Sequence, residues 1–138
     1  MTYLLDTNIC IALLRGHANA VSQLAALPPS ACAISSISVY ELQTGVEKCQ
    51  QPERERQKID LLLNSLRLVE FDRDAAEKSA VVRVQLERIG TPIGPYDLLL
   101  AGHALARGLT MVTSDVGEFS RVSGVAIFPG AIWMNLAI

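Results

Sequence analysis

A three-layer α/β domain with a mainly parallel central sheet is the fold this sequence predicts, and three observations predict it. Short apolar runs of strand length recur at Tyr3–Leu5, Ala31–Ile34, Leu68–Phe71, Leu109–Val112 and Val125–Phe128. Between them lie segments whose apolar residues are spaced as on one face of a helix. The connections are short, and strands that alternate with helices imply right-handed crossovers within one sheet.

The elements follow in order. Tyr3–Leu5 reads as a buried strand that leaves the sheet at Asp6, and Ile9–Leu14 as a short helix stopped near Gly16. A second helix spans Ala18–Leu27 and is closed by Pro28-Pro29. After the second strand, Ser35–Ser38 leads into a helix start at Val39–Leu42. The polar stretch Glu47–Lys58 predicts an exposed turn and the first turns of another helix, whose apolar face is Ile59, Leu62, Leu63 and Leu66. Asp72–Ile89 predicts a longer helix with a stripe at Ala76, Ala80, Val84 and Leu86, ended by Gly90 and Pro92. Gly94-Pro95-Tyr96-Asp97 opens the next helix, which runs to Arg107 and stops at Gly108. Thr113-Ser114-Asp115 follows the fourth strand, and Glu118-Phe119 sits in a short turn or helix before the fifth.

At 138 residues, one domain spanning 1–138 is expected. Hydrophobic residues make up 50% and charged residues 19%, which places the chain among folded globular proteins. A net charge of −2 argues against a general nucleic-acid coat protein, which is strongly basic. Nucleic-acid contact would have to come from a local patch or a metal ion. Cys10, Cys32 and Cys49 are scattered, with no Cys-x-x-Cys pair and no zinc spacing, and read as free buried thiols in a reducing cytoplasm. The N-terminus lacks a basic region, and no apolar run approaches the roughly 18 residues of a membrane span. A cytoplasmic protein with no membrane contact is the expectation.

Four acids stand in comparable places. Asp6 follows strand one, Glu41 opens the helix after strand two, Asp97 opens a helix, and Asp115 follows strand four. In a parallel sheet the strand-to-helix junctions share one edge, where ligands bind in α/β folds. Asp6, Glu41 and Asp115 should therefore converge; Asp97 has no strand of its own to place it. Each acid also has a structural reading. Asp6 and Asp115 suit helix caps, Ser38-x-x-Glu41 suits a capping box, and Asp97 suits the positive end of a helix dipole. Clustered carboxylates repel unless one takes up a proton or a cation joins them. A hard divalent ion with oxygen ligands, Mg²⁺ or Mn²⁺, fits that need. His17 and His103 are isolated, with packing the expected role for His103.

The segments Tyr-Leu-Leu-Asp6-Thr-Asn8, Ser-Val-Tyr-Glu41-Leu-Gln-Thr-Gly45, Ile-Gly94-Pro-Tyr-Asp97-Leu-Leu-Leu-Ala-Gly-His-Ala and Thr113-Ser-Asp115-Val-Gly-Glu118-Phe119 together resemble the PIN-domain ribonucleases. Among these the resemblance is to the VapC toxins of bacterial toxin–antitoxin pairs, and it covers nearly the whole chain. It implies a PIN-like, Rossmann-like fold, a Mg²⁺- or Mn²⁺-dependent endoribonuclease, a homodimer, and a VapB-like antitoxin as partner. It implies metal-binding and catalytic acids at Asp6, Glu41 and Asp97, with Asp115 as the fourth and Glu118 as the alternative fourth. Thr7, Asn8, Ser114 and Arg15, with Arg107 and Arg121, are candidates for contact with the acids or the RNA backbone. An unpaired segment of a structured RNA, such as a tRNA loop, is the expected target. Two other readings stand beside this one. A non-catalytic PIN-like module that binds RNA or protein is disfavoured by the presence of all four acids. A haloacid-dehalogenase-type phosphatase needs a second Asp two residues after Asp6, where Asn8 stands. The stretch Phe128–Ile138 departs from the family pattern in being longer and more apolar, with Trp133 possible outside the core.

Overall fold

The computed structural model describes residues 1–133. Its centre is a five-stranded, fully parallel sheet in the order β3-β2-β1-β4-β5. The strands are β1 (Tyr3–Leu5), β2 (Cys32–Ser35), β3 (Arg67–Val69), β4 (Thr110–Thr113) and β5 (Ile127–Pro129). Strand order reverses between β1 and β4, which pair through Tyr3 with Thr110, Leu4 with Met111 and Leu5 with Val112. Crevices that hold ligands in such sheets open beyond the carboxyl ends of the strands at that reversal.

Helices cover both faces. Successive strand residues point to opposite faces, so Leu5, Ile34 and Val112 join one core and Leu4, Ala33 and Met111 the other. The first core is closed by α1 (Thr7–Leu14), α2 (Ala18–Ala25), α3 (Ser36–Lys48) and α4 (Pro52–Asn64). The second is closed by α5 (Arg73–Arg88), α6 (Pro95–Arg107) and α7 (Val116–Phe119). The result is the three-layer α/β/α arrangement expected, with Gly108 in the left-handed region (φ 64°) where it ends α6.

Three local expectations need correction. Helix α3 begins at Ser36 rather than at Val39, because the Ser35 hydroxyl accepts from the Ile37 amide and caps it there. The buried face of α5 is Ala75, Ser79, Val82 and Leu86; of the predicted stripe only Leu86 lies on it, and Ala76, Ala80 and Val84 are exposed. The cause is a close approach of α6: a Cβ on Gly102 would lie 2.0 Å from Ser79 Oγ and 2.7 Å from Ser79 Cα. Only small residues fit that crossing, so it selects a Gly and a Ser that hydrophobic periodicity passes over. Trp133 is fully buried in the first core, on a short α8 (Gly130–Trp133) that follows β5. The rest of the apolar stretch, 134–138, lies outside the described residues.

Candidate active site

The carboxyl edge of the sheet is where the predicted acids meet. Asp6 leaves β1 in extended conformation (φ −62°, ψ 152°) and caps α1, its Oδ1 accepting from the Thr7 amide at 2.8 Å. Its Oδ2 accepts from the Thr113 hydroxyl, at the end of neighbouring β4, at 2.7 Å. The residue caps its helix and still has acceptor capacity, since a carboxylate has lone pairs left after two such bonds. Burial raises its pKa, opposed by the bonds from Thr113 and Thr7, and the charges of Glu41 and Asp115 push it further up.

Glu41 is held from a distance in sequence. The Thr7 hydroxyl donates to Glu41 Oε1 at 2.7 Å and lies 2.8 Å from Ser38 Oγ. The hydroxyl has one proton, so Ser38 is the donor in the second contact. Ser38 and Glu41 sit inside α3 and therefore form no capping box. Of the candidates for RNA contact, Thr7 is buried and bonded to Glu41, whereas Asn8, Ser114 and Arg15 are exposed.

Asp97 lies in the first turn of α6, whose cap is Gly94 and which has no side-chain cap bond. Asp97 is thus not occupied in holding its helix. Asp97, Asp115 and Glu118 each offer a carboxylate oxygen within 4.8 Å of one another. Asp115 and Glu118 are thus both in this cluster. Asp115 caps α7 through the Glu118 amide at 3.2 Å, and its own amide donates to Thr113 Oγ1 at 2.9 Å. Glu118 accepts from the Gly94 amide, which ties α7 to the start of α6. That bond holds Glu118 below the usual carboxylate range. Burial, a proton shared with Glu118 and the charges of Asp6, Glu118 and Asp115 push Asp97 up to about 8. Asp115 is raised by its bond to Glu118 and by burial.

This chemistry fits a hard divalent cation. The clustered acceptor atoms are all oxygens, no His or Cys is among them, and Asp97 is raised by burial first, then by its bond to Glu118 and by neighbouring negative charge. His103 takes no part. It is fully buried with Nδ1 2.9 Å from Ser35 Oγ, stacked edge-on against Phe71, and burial lowers its pKa. His17 caps α2 through Nδ1. Arg121 donates to the Pro92 carbonyl at 3.3 Å, and Arg107 is exposed in the last turn of α6, away from Asp97. Cys10 and Cys32 are buried and Cys49 partly so, all unpaired.

Sequence reasoning missed Thr113, which bonds both Asp6 and the Asp115 amide, and the Gly94 amide that fixes Glu118. A threonine as the last residue of a strand, directly before a polar turn, was the available signal for the first. The second depends on tertiary contact alone.

Fold and site define a class: a Rossmann-like α/β domain with an oxygen-only acid cluster at the carboxyl edge of a parallel sheet, at its point of reversal. The PIN domain family model matches residues 3–125, and the chain belongs to that family. Within it the chain is similar to the tRNA(fMet)-specific endonuclease VapC of Salmonella typhimurium, 38% identical over 127 residues that span 92% of this chain and 96% of that protein. It is also similar to ribonuclease VapC2 of Rickettsia felis, at 36% over 129 residues, covering 92% and 96%. Among solved structures, DNA-bound VapBC from Salmonella typhimurium superposes with a TM-score of 0.89 at 37% identity, covering 96% of this chain and 98% of that one. VapBC2 of Rickettsia felis bound to a promoter DNA fragment gives 0.86 at 33%, covering 94% and 98%.

Proposed function

We propose that this chain is a divalent-metal-dependent endoribonuclease, the toxin of a toxin–antitoxin pair, which hydrolyses a phosphodiester in an unpaired or loop region of a structured RNA. The observation that carries this reading is the acid cluster: Asp97, Asp115 and Glu118 within mutual reach, with Asp6 acting on Asp97 by charge and Glu41 and Asp115 acting on Asp6. The names of similar proteins favour tRNA as the RNA class. They also favour a VapB-like antitoxin partner, and the VapC resemblance adds a cytoplasmic homodimer.

Asp6, Asp97 and Asp115, with Glu118, are the residues proposed to hold Mg²⁺ or Mn²⁺. A divalent ion bound there supplies a lowered pKa for the attacking water and a counter-charge for the phosphate. The chain's own residues do the rest. Thr113 and the Thr7 amide fix both oxygens of Asp6. Thr7, itself held by Ser38, fixes Glu41 as the acceptor of a proton from the attacking water. As water oxygen bonds to phosphorus, the bond to the leaving ribose oxygen breaks; that oxygen takes up a proton from solvent, to which Glu41 returns the proton it accepted. The Gly94 amide keeps Glu118 ionised. Exposed Asn8 and Ser114 stand where the RNA backbone would pass.

Expression in bacteria tests the reading. The wild-type chain produced alone should arrest growth and fragment cellular RNA, and Asp6→Asn should abolish both effects at equal protein level. Wild-type protein that accumulates with growth and RNA intact would count against the toxin assignment.

A further inference from the structure

The sequence has three tyrosines, three phenylalanines and one tryptophan. Five of these are buried or half-buried; Tyr40 and Tyr96 are 54% and 40% exposed. These two are side by side. Their ring centroids lie 5.5 Å apart, the planes are tilted by 51°, and the hydroxyls are 3.1 Å apart. Each directly precedes a site acid, Tyr40 before Glu41 on α3 and Tyr96 before Asp97 at the start of α6. The pair thus bridges the two helices that carry those acids, at the rim of the cluster.

Exposed aromatic rings are unfavourable in water and buy no core packing, so their placement beside the acids calls for an occupant. The rim has few cations to hold RNA by charge: beside Glu41 the lining supplies Arg15 and Lys58, and Lys58 is paired with Glu55. Net charge is −2, the site concentrates five carboxylates, and Arg121 is turned to the Pro92 carbonyl. A cation offsets one phosphate but not the nucleotides on either side. Stacking of an unpaired base on an aromatic face needs no positive charge and tolerates any base.

We propose that Tyr40 and Tyr96 form a ledge on which an unpaired base next to the scissile phosphate stacks, so that the phosphate is delivered to the acids. This rests on the endoribonuclease reading above. Stacking belongs to the rings and not to the hydroxyls, and it selects unpaired over duplex RNA, because a paired base cannot reach the ledge. The two tyrosines are positioning residues and touch no reacting atom.

The test uses full-length protein, bulk tRNA for cleavage and a short single-stranded oligoribonucleotide for binding in Mg²⁺, the latter in an Asp97→Asn background. Tyr40→Ala and Tyr96→Ala should each raise KM about tenfold or more, with a smaller change in kcat, and weaken oligonucleotide binding to match. Tyr40→Phe and Tyr96→Phe should keep near wild-type values. An oligonucleotide with one abasic position at the ledge should bind the Asp97→Asn protein as weakly as the intact one binds the Ala variants built on it, and should lose nothing further with them. Unchanged KM in the Ala variants while wild type cleaves tRNA would overturn the ledge and leave the ribonuclease reading standing. So would Phe variants as weak as Ala, or Ala variants whose only change is in oligomeric state by light scattering, which would mark a protein interface. Wild type that neither binds nor cleaves RNA in Mg²⁺ would overturn both.

Discussion

Thr7 shows how one hydroxyl sets the geometry of a site. It joins Asp6, through its amide, to Glu41, through its side chain, across a separation of 34 residues. Thr7→Val keeps the shape but removes the donor to Glu41. A hydrogen bond to a charged group contributes about 1.5–3 kcal/mol, so kcat should fall roughly 10- to 100-fold if the bond acts in the transition state. KM should change little, and Thr7→Ser should restore most of the rate. Steady-state kinetics on tRNA would show this, and a Thr7→Val enzyme at wild-type kcat would remove Thr7 from the mechanism. Asp97 makes a separate prediction about pH. Its pKa in the metal-free fold is about 8, against an ordinary 3.8. A group raised on folding stabilises fully below its unfolded pKa, and that contribution is lost as pH rises through the folded value. Metal-free protein should therefore lose melting temperature between about pH 4 and pH 8, and Asp97→Asn should flatten that decline. Glu118 is shifted the other way and matters only in acid, below its ordinary 4.5. With Mg²⁺ the trend should reverse, because the cation requires ionised carboxylates. Melts in EDTA across this range check the sign.

At the scale of elements, what was legible in the sequence is what local chemistry decides. An apolar triplet followed by Asp6 reads as a strand end, and Gly94-Pro95 reads as a helix start, so the order of elements and the placing of the acids on one edge follow. What was not legible depends on partners far away in the chain. Ser38 and Glu41 have the spacing of a capping box, yet Thr7 draws both into the site. The α5 stripe was misplaced because its position is set by the Gly102–Ser79 crossing with α6. Trp133 joins the core through a helix too short for periodicity to reveal. The crossing makes its own prediction. Gly102→Ala would force α6 away from α5, and overpacking of this kind costs about 1–3 kcal/mol. The melting temperature should drop by roughly 3–10 °C. Because α6 carries Asp97, cleavage should fall further than the loss of folded protein explains. A thermal melt beside an activity assay at low temperature separates the two effects, and an unshifted melt would show that the crossing is loose.

At the scale of the whole molecule, the sheet's point of reversal between β1 and β4 is what brings the site together. Asp6 closes one strand, Thr113 the other, and their hydrogen bond spans the crevice. The loop after β4 then adds Asp115 and Glu118, and α6 adds Asp97. Among the described residues no helix is long and apolar enough to cross a membrane. A fold that gathers like charges at one edge is stabilised by whatever cation binds there. At a hundred times its Kd, a ligand bound only by the folded state adds about 2.7 kcal/mol. The most direct measurement is cleavage of purified tRNA by the wild-type chain, first in EDTA and then with Mg²⁺ or Mn²⁺ restored, with Asp97→Asn alongside. No cleavage is expected in EDTA, full recovery with either cation, and none at any cation concentration for the variant. Cleavage at full rate in EDTA by protein shown to carry no metal, or by Asp97→Asn, would contradict this.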